Sequence, residues 1–272
     1  MNNKIPDRRI VYKTIGTTKL EMHLFVPGKN ISRSAIVFFF GGGWTGGTPS
    51  QFYPQCKYFA SNGILAISAE YRIMGKHNTT PFESIKDAKS AIRWIRAHAS
   101  ELVISPDKIV ASGGSAGGHI AACTALIQGM DEEGEDLKVS SVPNSLVLFN
   151  PVIDTTDKGY GSDKLKGKET EISPVHHVVK GLPPTLIFHG TADNTVPFEN
   201  VERFKRLMDE AGNTCELMPF EGKCHGFFNH GRAGNADFEK TMEMACGFLV
   251  RTGLMDRKNP IPDEKAPQKH EK

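Results

Sequence analysis

The sequence predicts an α/β protein: a mostly parallel eight-stranded sheet flanked by helices. Three observations carry that expectation. Short apolar runs rich in β-branched residues alternate with stretches of helical period along most of the chain. Residues 35–40 read Ala-Ile-Val-Phe-Phe-Phe, apolar at every position, as in a strand buried on both faces by helices. Glycine-rich or polar loops follow the strands, at the end of the sheet where such folds place their sites.

Taken in order, residues 9–15 and 18–26 flank Gly16-Thr17-Thr18 and alternate loosely, as an edge hairpin does. Residues 34–40 form a central strand, and Gly41-Gly42-Gly43-Trp44 opens the loop after it. A helix is expected from about 51 to 60 and a strand over 64–71. Residues 81–98 form the clearest helix, with Ile85, Ala88, Ile92 and Ile95 on one face and Pro81 at its start. A strand at 108–111 leads through a glycine turn into an alanine-rich helix over 120–126. Residues 130–141 are acidic and read as a solvated loop. Strands follow at 146–149, 185–188 and 215–220, with helices at 197–211 and 237–250. Residues 152–182 are polar and glycine-bearing, a loop or small lid that leaves a minimal cap. Without an internal repeat or a second core, residues 1–255 read as one domain. The proline- and lysine-rich tail, 256–272, is expected to be disordered.

The 272 residues suffice for a sizeable core. Charge is balanced, Lys+Arg 33 against Asp+Glu 31, so nothing argues for a nucleic-acid partner. No apolar run approaches the roughly 20 residues that span a bilayer, so no membrane partner is expected either. The first residues hold no signal-peptide core, so the chain as written reads as cytoplasmic; a trimmed leader would make it periplasmic or secreted. Five scattered cysteines without CxxC spacing read as free thiols, Cys215 and Cys224 being the nearest pair if any bridge forms. No metal site is expected; the adjacent His176 and His177 do not share one ligand face.

The chemistry centres on Gly113-Gly114-Ser115-Ala116-Gly117, a Gly-x-Ser-x-Gly between a strand and a helix. Such an elbow lifts the serine hydroxyl clear of the sheet beside the first N–H groups of the helix. Side chains at 113 and 117 would collide with the neighbouring strand and helix. A serine needs a base, because a free hydroxyl is barely ionised at neutral pH. His225 supplies one in the loop after the last strand, and Asp193, in the loop after the strand ending at His189, supplies an acid to orient it. Asp154 is the reserve acid. Gly42, Gly43 and Ala116 are the expected oxyanion donors, since backbone N–H groups approach a ligand closely only where side chains are absent. Trp44 is expected to wall the substrate pocket, with plain packing as its alternative. His189 is read as shaping the acid loop, His119 as structural, and Glu70-Tyr71-Arg72 with Asp87 as a buried polar network below the site.

The elbow, the Gly41-Gly42-Gly43-Trp44 loop, Glu70-Tyr71-Arg72, His189-Gly190-Thr191-Ala192-Asp193 and the His225 loop together resemble the α/β-hydrolase superfamily. Within it, residues 8–252 look most like carboxylesterases of the acetyl-xylan/feruloyl esterase branch, close to the hormone-sensitive-lipase-like esterases. The resemblance implies the α/β-hydrolase fold and a cofactor-free serine esterase working through an acyl-enzyme. Two departures stand out: Phe40 replaces the histidine of the family's His-Gly-Gly-Gly loop, and no large N-terminal helical cap is present.

Three functions compete. The first is hydrolysis of short-chain acyl esters, a small-molecule or oligosaccharide ester such as an acetylated carbohydrate being the substrate. The second is an amidase, peptidase or formamidase of the same fold, and the third a non-enzymatic binding module. Acyl length, alcohol moiety and oligomeric state are left open, a homodimer among the options.

Overall fold

The computed structural model describes residues 5–29 and 31–256. Apart from Asp256, the tail for which disorder was expected lies outside them. Eight strands form one sheet: β1 (Arg8–Ile15), β2 (Thr18–Phe25), β3 (Ala35–Phe39), β4 (Leu65–Ala69), β5 (Ile109–Gly114), β6 (Ser145–Phe149), β7 (Thr185–Gly190) and β8 (Cys215–Phe220). Their order is β1-β2-β4-β3-β5-β6-β7-β8. The β1–β2 hairpin is antiparallel and joins β4 antiparallel, while every later neighbour runs parallel. The apolar runs sit at the centre, where β3 and β5 are buried at every residue between two layers of helices.

The helices are α1 (Tyr53–Ser61), α2 (Met74–His77), α3 (Pro81–Ala97), α4 (Ala116–Leu126), α5 (Phe198–Glu210) and α6 (Ala236–Arg251). Helix α3 starts where its sequence says it should. Pro81 occupies the first turn, and Glu83 reaches back to the Thr80 N–H at 2.8 Å, closing a capping box. Its expected apolar face, Ile85, Ala88, Ile92 and Ile95, is fully buried.

Four local differences from the expectations have physical causes. Residues 49–52 make a 3₁₀ turn before α1, because Pro49 and Pro54 delay the regular helix. Helix α2 is too short to carry a periodic signal. Residues 130–141 are a loop that is exposed only in part: Asp131 and Glu135 meet Arg93 at 2.5 and 2.8 Å, and Glu132 meets Lys13 and Arg72 at 2.7 and 2.6 Å. Residues 152–182 pack through three 3₁₀ turns, with Val152, Ile153, Leu165, Ile172 and Val175 buried.

Of the expected polar network, Arg72 and Asp87 pair, whereas half-buried Glu70 accepts the Glu21 N–H and Tyr71 donates to the Phe40 carbonyl. Buried Asp87 accepts from Lys13 Nζ (2.7 Å), Arg72 Nη2 (2.8 Å) and the Arg72 N–H (2.8 Å). It pins β1 and the chain after β4 to α3. Breaking such a pair from one side leaves a buried charge uncompensated, which typically costs about 3–5 kcal/mol. No disulfide joins the five cysteines; Cys215 is buried and Cys224 exposed, so that bridge is not made.

His119, in α4, is fully buried; its Nε2 lies 2.7 Å from the Ile172 carbonyl and its Nδ1 has no partner. Burial pulls its pKa from 6.5 down to about 4. The unfolded chain therefore binds more protons between those values, and stability falls as pH drops through that window. Protonation at the buried site is worth on the order of 3 kcal/mol over a shift of this size. Thermal melts from pH 7 to pH 4 should show a shallower loss for His119→Gln than for the wild type; equal slopes would remove His119 as the cause.

Candidate active site

The elbow closes as the sequence requires. Ser115 has φ 55° and ψ −123°, a conformation that costs on the order of 1–3 kcal/mol unless the surroundings hold it. They do. Its N–H donates to the Phe149 carbonyl at the end of β6, and its own carbonyl accepts from His119 and Val152. The flanking glycines permit the contact: a Cβ at Gly117 would lie 2.0 Å from the Phe39 carbonyl oxygen, and one at Gly113 2.5 Å from the Gly117 carbonyl carbon. Ala116 begins α4, where N–H groups have no intrahelical acceptor.

The glycine loop lies across the same cleft. Gly42 (φ 127°) and Gly43 (φ 60°) adopt conformations that favour glycine, and neither donates its N–H to an acceptor among the described residues. A cavity of about 240 Å³ is lined by Gly42, Gly43, Ser115 and His225, with Gln51 and Tyr160 on its walls. The chain thus brings the expected serine, histidine and two glycines to one opening.

The acid is Asp193. His225 Nδ1 lies 2.7 Å from Asp193 Oδ2. Asp193 Oδ1 accepts the Thr195 and Val196 N–H groups, each at 2.9 Å, and His189 Nε2 lies 3.3 Å from Oδ2. Burial opposes ionisation of this carboxyl. The donors from His189, His225, Val196 and Thr195 outweigh it and hold its pKa well below the ordinary carboxylate value. Asp193 is therefore a fixed anion at any working pH. It draws the His225 proton to Nδ1 and leaves Nε2 free to accept one. Reserve acid Asp154 is committed elsewhere: its Oδ1 accepts the Thr156 N–H and hydroxyl, and its Oδ2 faces Arg203 at 3.3 Å.

Trp44 needs correcting. It is 1% exposed, packs edge-on against His119 at 5.1 Å, and does not line the cleft. Its positive φ of 59° turns the ring inward. Tyr160 stands on the cleft wall instead, backed by Trp44 at 5.8 Å and close to Gly43. Phe40, in place of the family's histidine, stacks on Tyr71 at 4.2 Å, and Tyr71 Oη donates to the Phe40 carbonyl at 2.7 Å. Burial raises the Tyr71 pKa and keeps that donor protonated.

Sequence reasoning missed Gln51, Asn150 and Asn229. Gln51 Oε1 accepts the Gly41 N–H at 2.7 Å, and Asn150 Oδ1 accepts the Gly226 N–H at 2.9 Å. Asn150 had a signal, as the polar residue closing an apolar strand; Gln51 and Asn229 had none apart from a neighbouring glycine loop or histidine loop. No cluster of metal-ligating side chains occurs among the described residues, and none of their helices is long and apolar enough to cross a membrane.

Comparison with known proteins agrees with this geometry. Residues 22–166 match the BD-FAE family model, and residues 148–249 match that of the dienelactone hydrolase family. The chain is 28% identical over 243 residues to a probable isoprenylcysteine alpha-carbonyl methylesterase of Arabidopsis thaliana, covering 80% of this chain and 50% of that one. It is 27% identical over 252 residues to the carboxylesterase NlhH of Mycobacterium tuberculosis, covering 83% and 77%. The chain spans about half the length of the first of the curated relatives it matches. Among solved structures it is similar to the apo form of Thermogutta terrifontis esterase 2, with 49% identity, a TM-score of 0.88, and 92% and 96% of the two chains covered. That esterase has also been solved phosphorylated by paraoxon (49% identity, TM-score 0.88) and with propionate bound (48%, TM-score 0.88). These cover 92% and 93% of this chain, and 96% of that chain in each case.

Asp193→Asn tests the acid directly. An amide nitrogen facing Nδ1 would favour the wrong His225 tautomer, so kcat for a turned-over ester should fall by about 10³–10⁴-fold with the fold intact. A fall below tenfold would show that another group orients His225.

Proposed function

The chain belongs to the BD-FAE family of α/β-hydrolases, and we propose that it hydrolyses short-chain carboxylic esters with Ser115 as nucleophile, His225 as base and Asp193 as orienting acid. The observation that carries this reading is the single cleft shared by Ser115, His225 and two N–H groups of the glycine loop, with Asp193 2.7 Å behind the histidine.

The proposed reaction uses these groups in turn. Ser115 Oγ attacks the ester carbonyl carbon while His225 Nε2 takes its proton. The carbonyl oxygen becomes an oxyanion, and the N–H groups of Gly42, Gly43 and Ala116 stabilise it. The tetrahedral species collapses, the His225 proton passes to the departing alcohol, and the acyl group stays on Ser115. Water, deprotonated by the same nitrogen, attacks the acyl-enzyme and releases the carboxylate. Asp193 keeps its charge throughout and stabilises the transient imidazolium.

The dimensions of the cleft support a small acyl group. The volume of about 240 Å³, with Tyr160 beside Gly43, suits a short acyl chain. Propionate and butyrate complexes of Thermogutta terrifontis esterase 2 support that reading. On the alcohol side, the polar walls from Gln51, Asn150, Thr195 and Asn229 suit a hydroxylated leaving group, and acetylated carbohydrate is the finer assignment we favour.

Hydrolysis of p-nitrophenyl acetate, butyrate and octanoate by wild type and Ser115→Ala tests the proposal. The two short esters should lead octanoate in kcat/KM, and the variant should lose about 10³-fold or more. A wild type inert on all three, or an equally active variant, would overturn the reading.

A further inference from the structure

The oxyanion donors and the base come from loops about 180 residues apart in sequence, and catalysis depends on their separation. A 1 Å displacement of a catalytic group can cost roughly 100-fold in rate. Phe40 stands where the family's histidine heads the glycine loop, and its ring stacks against Tyr71. Something else holds the loop.

One chain of side-chain amides crosses the cleft. The Gly41 N–H donates to Gln51 Oε1 (2.7 Å), Gln51 Nε2 donates to Asn229 Oδ1 (3.1 Å), and Asn229 Nδ2 donates to the Gly226 carbonyl (2.9 Å). The direction is consistent throughout: each amide accepts with its oxygen and donates with its nitrogen. Gly226 follows His225 directly, and its own N–H is fixed by Asn150 at the end of β6 (2.9 Å). Gly226, beside the base, is thus tied through its N–H to the end of β6 and through its carbonyl to the glycine loop. The same bond uses up the Gly41 N–H, leaving Gly42 and Gly43 as the loop's donors.

We propose that Gln51 and Asn229 form a strut that sets the distance between the glycine-loop donors and His225. Both are positioning residues, and the catalytic consequence rests on the esterase reading. Neither contributes the reacting atoms; breaking either bond lets the loop and the base drift independently. Both side chains also line the cleft, but a p-nitrophenyl ester offers them no sugar hydroxyl to bind, so with that substrate the loss falls on kcat.

The test uses Gln51→Met, Asn229→Leu and their double variant, each checked for an unchanged melting transition. Asn229→Ala replaces the leucine variant if that one does not fold. With p-nitrophenyl butyrate each single should lower kcat about 10- to 30-fold with KM within about twofold. The double should be no worse than about twice the worse single, because both remove the same strut. Multiplicative losses, or losses in KM alone, would overturn the proposal. A second readout needs no turnover: the Gly41 amide should exchange with solvent at least about tenfold faster in Asn229→Leu, since Gln51 then loses its brace. Unchanged Gly41 exchange would overturn the strut. A wild type that turns over no ester would sink the esterase reading alone, and the exchange measurement would still decide the strut.

Discussion

The structure depends on one strained residue. Ser115 is held at φ 55° and ψ −123° because three elements converge on it. The end of β3 touches the start of α4 so closely that Gly117 has no room for a methyl group, and the end of β6 takes the Ser115 N–H. Each contact is permitted by the absence of a side chain or completed by a backbone hydrogen bond. The strain is repaid by packing in the central strands, whose residues are buried throughout.

Around that fixed point the other groups are positioned by charge and by loops. Asp193 is buried yet ionised, because four donors converge on its two oxygens. That arrangement makes its charge permanent and gives it directional hold on His225, as an exposed carboxylate with several rotamers would not. Among those donors, His189 serves both the Val196 carbonyl, at 2.9 Å, and Asp193. It thereby ties the acid's oxygen to the turn that leads into α5. The expectation that His189 shapes the acid loop fits this contact.

Much of this was legible in the sequence, for identifiable reasons. Apolar runs such as residues 35–40 announce doubly buried strands, and Gly113 and Gly117 announce the elbow around Ser115 because a Cβ at either glycine would meet backbone atoms. Asp193 and His225 were legible because each follows a strand in a loop of small residues. What stayed hidden depends on long-range side-chain contacts. Nothing local tells that Glu132 is shared by Lys13 and Arg72, so an acidic run read as solvated. Trp44 looked like a pocket wall because it follows the glycines; its positive φ and the space beside His119 turn it inward. Gln51 and Asn229 are ordinary polar residues until the fold brings them together across the cleft.

The central claim is that the cleft assembles Ser115 as an activated nucleophile. Its most direct test is treatment of the folded protein with paraoxon, followed by intact-mass and peptide analysis. One phosphoryl group per chain, located on Ser115 and absent from urea-unfolded protein, is the result this proposal predicts. Labelling at another residue, or equal labelling of folded and unfolded chains, would contradict it, because a serine with neither a base nor oxyanion donors in place reacts no faster than any exposed hydroxyl.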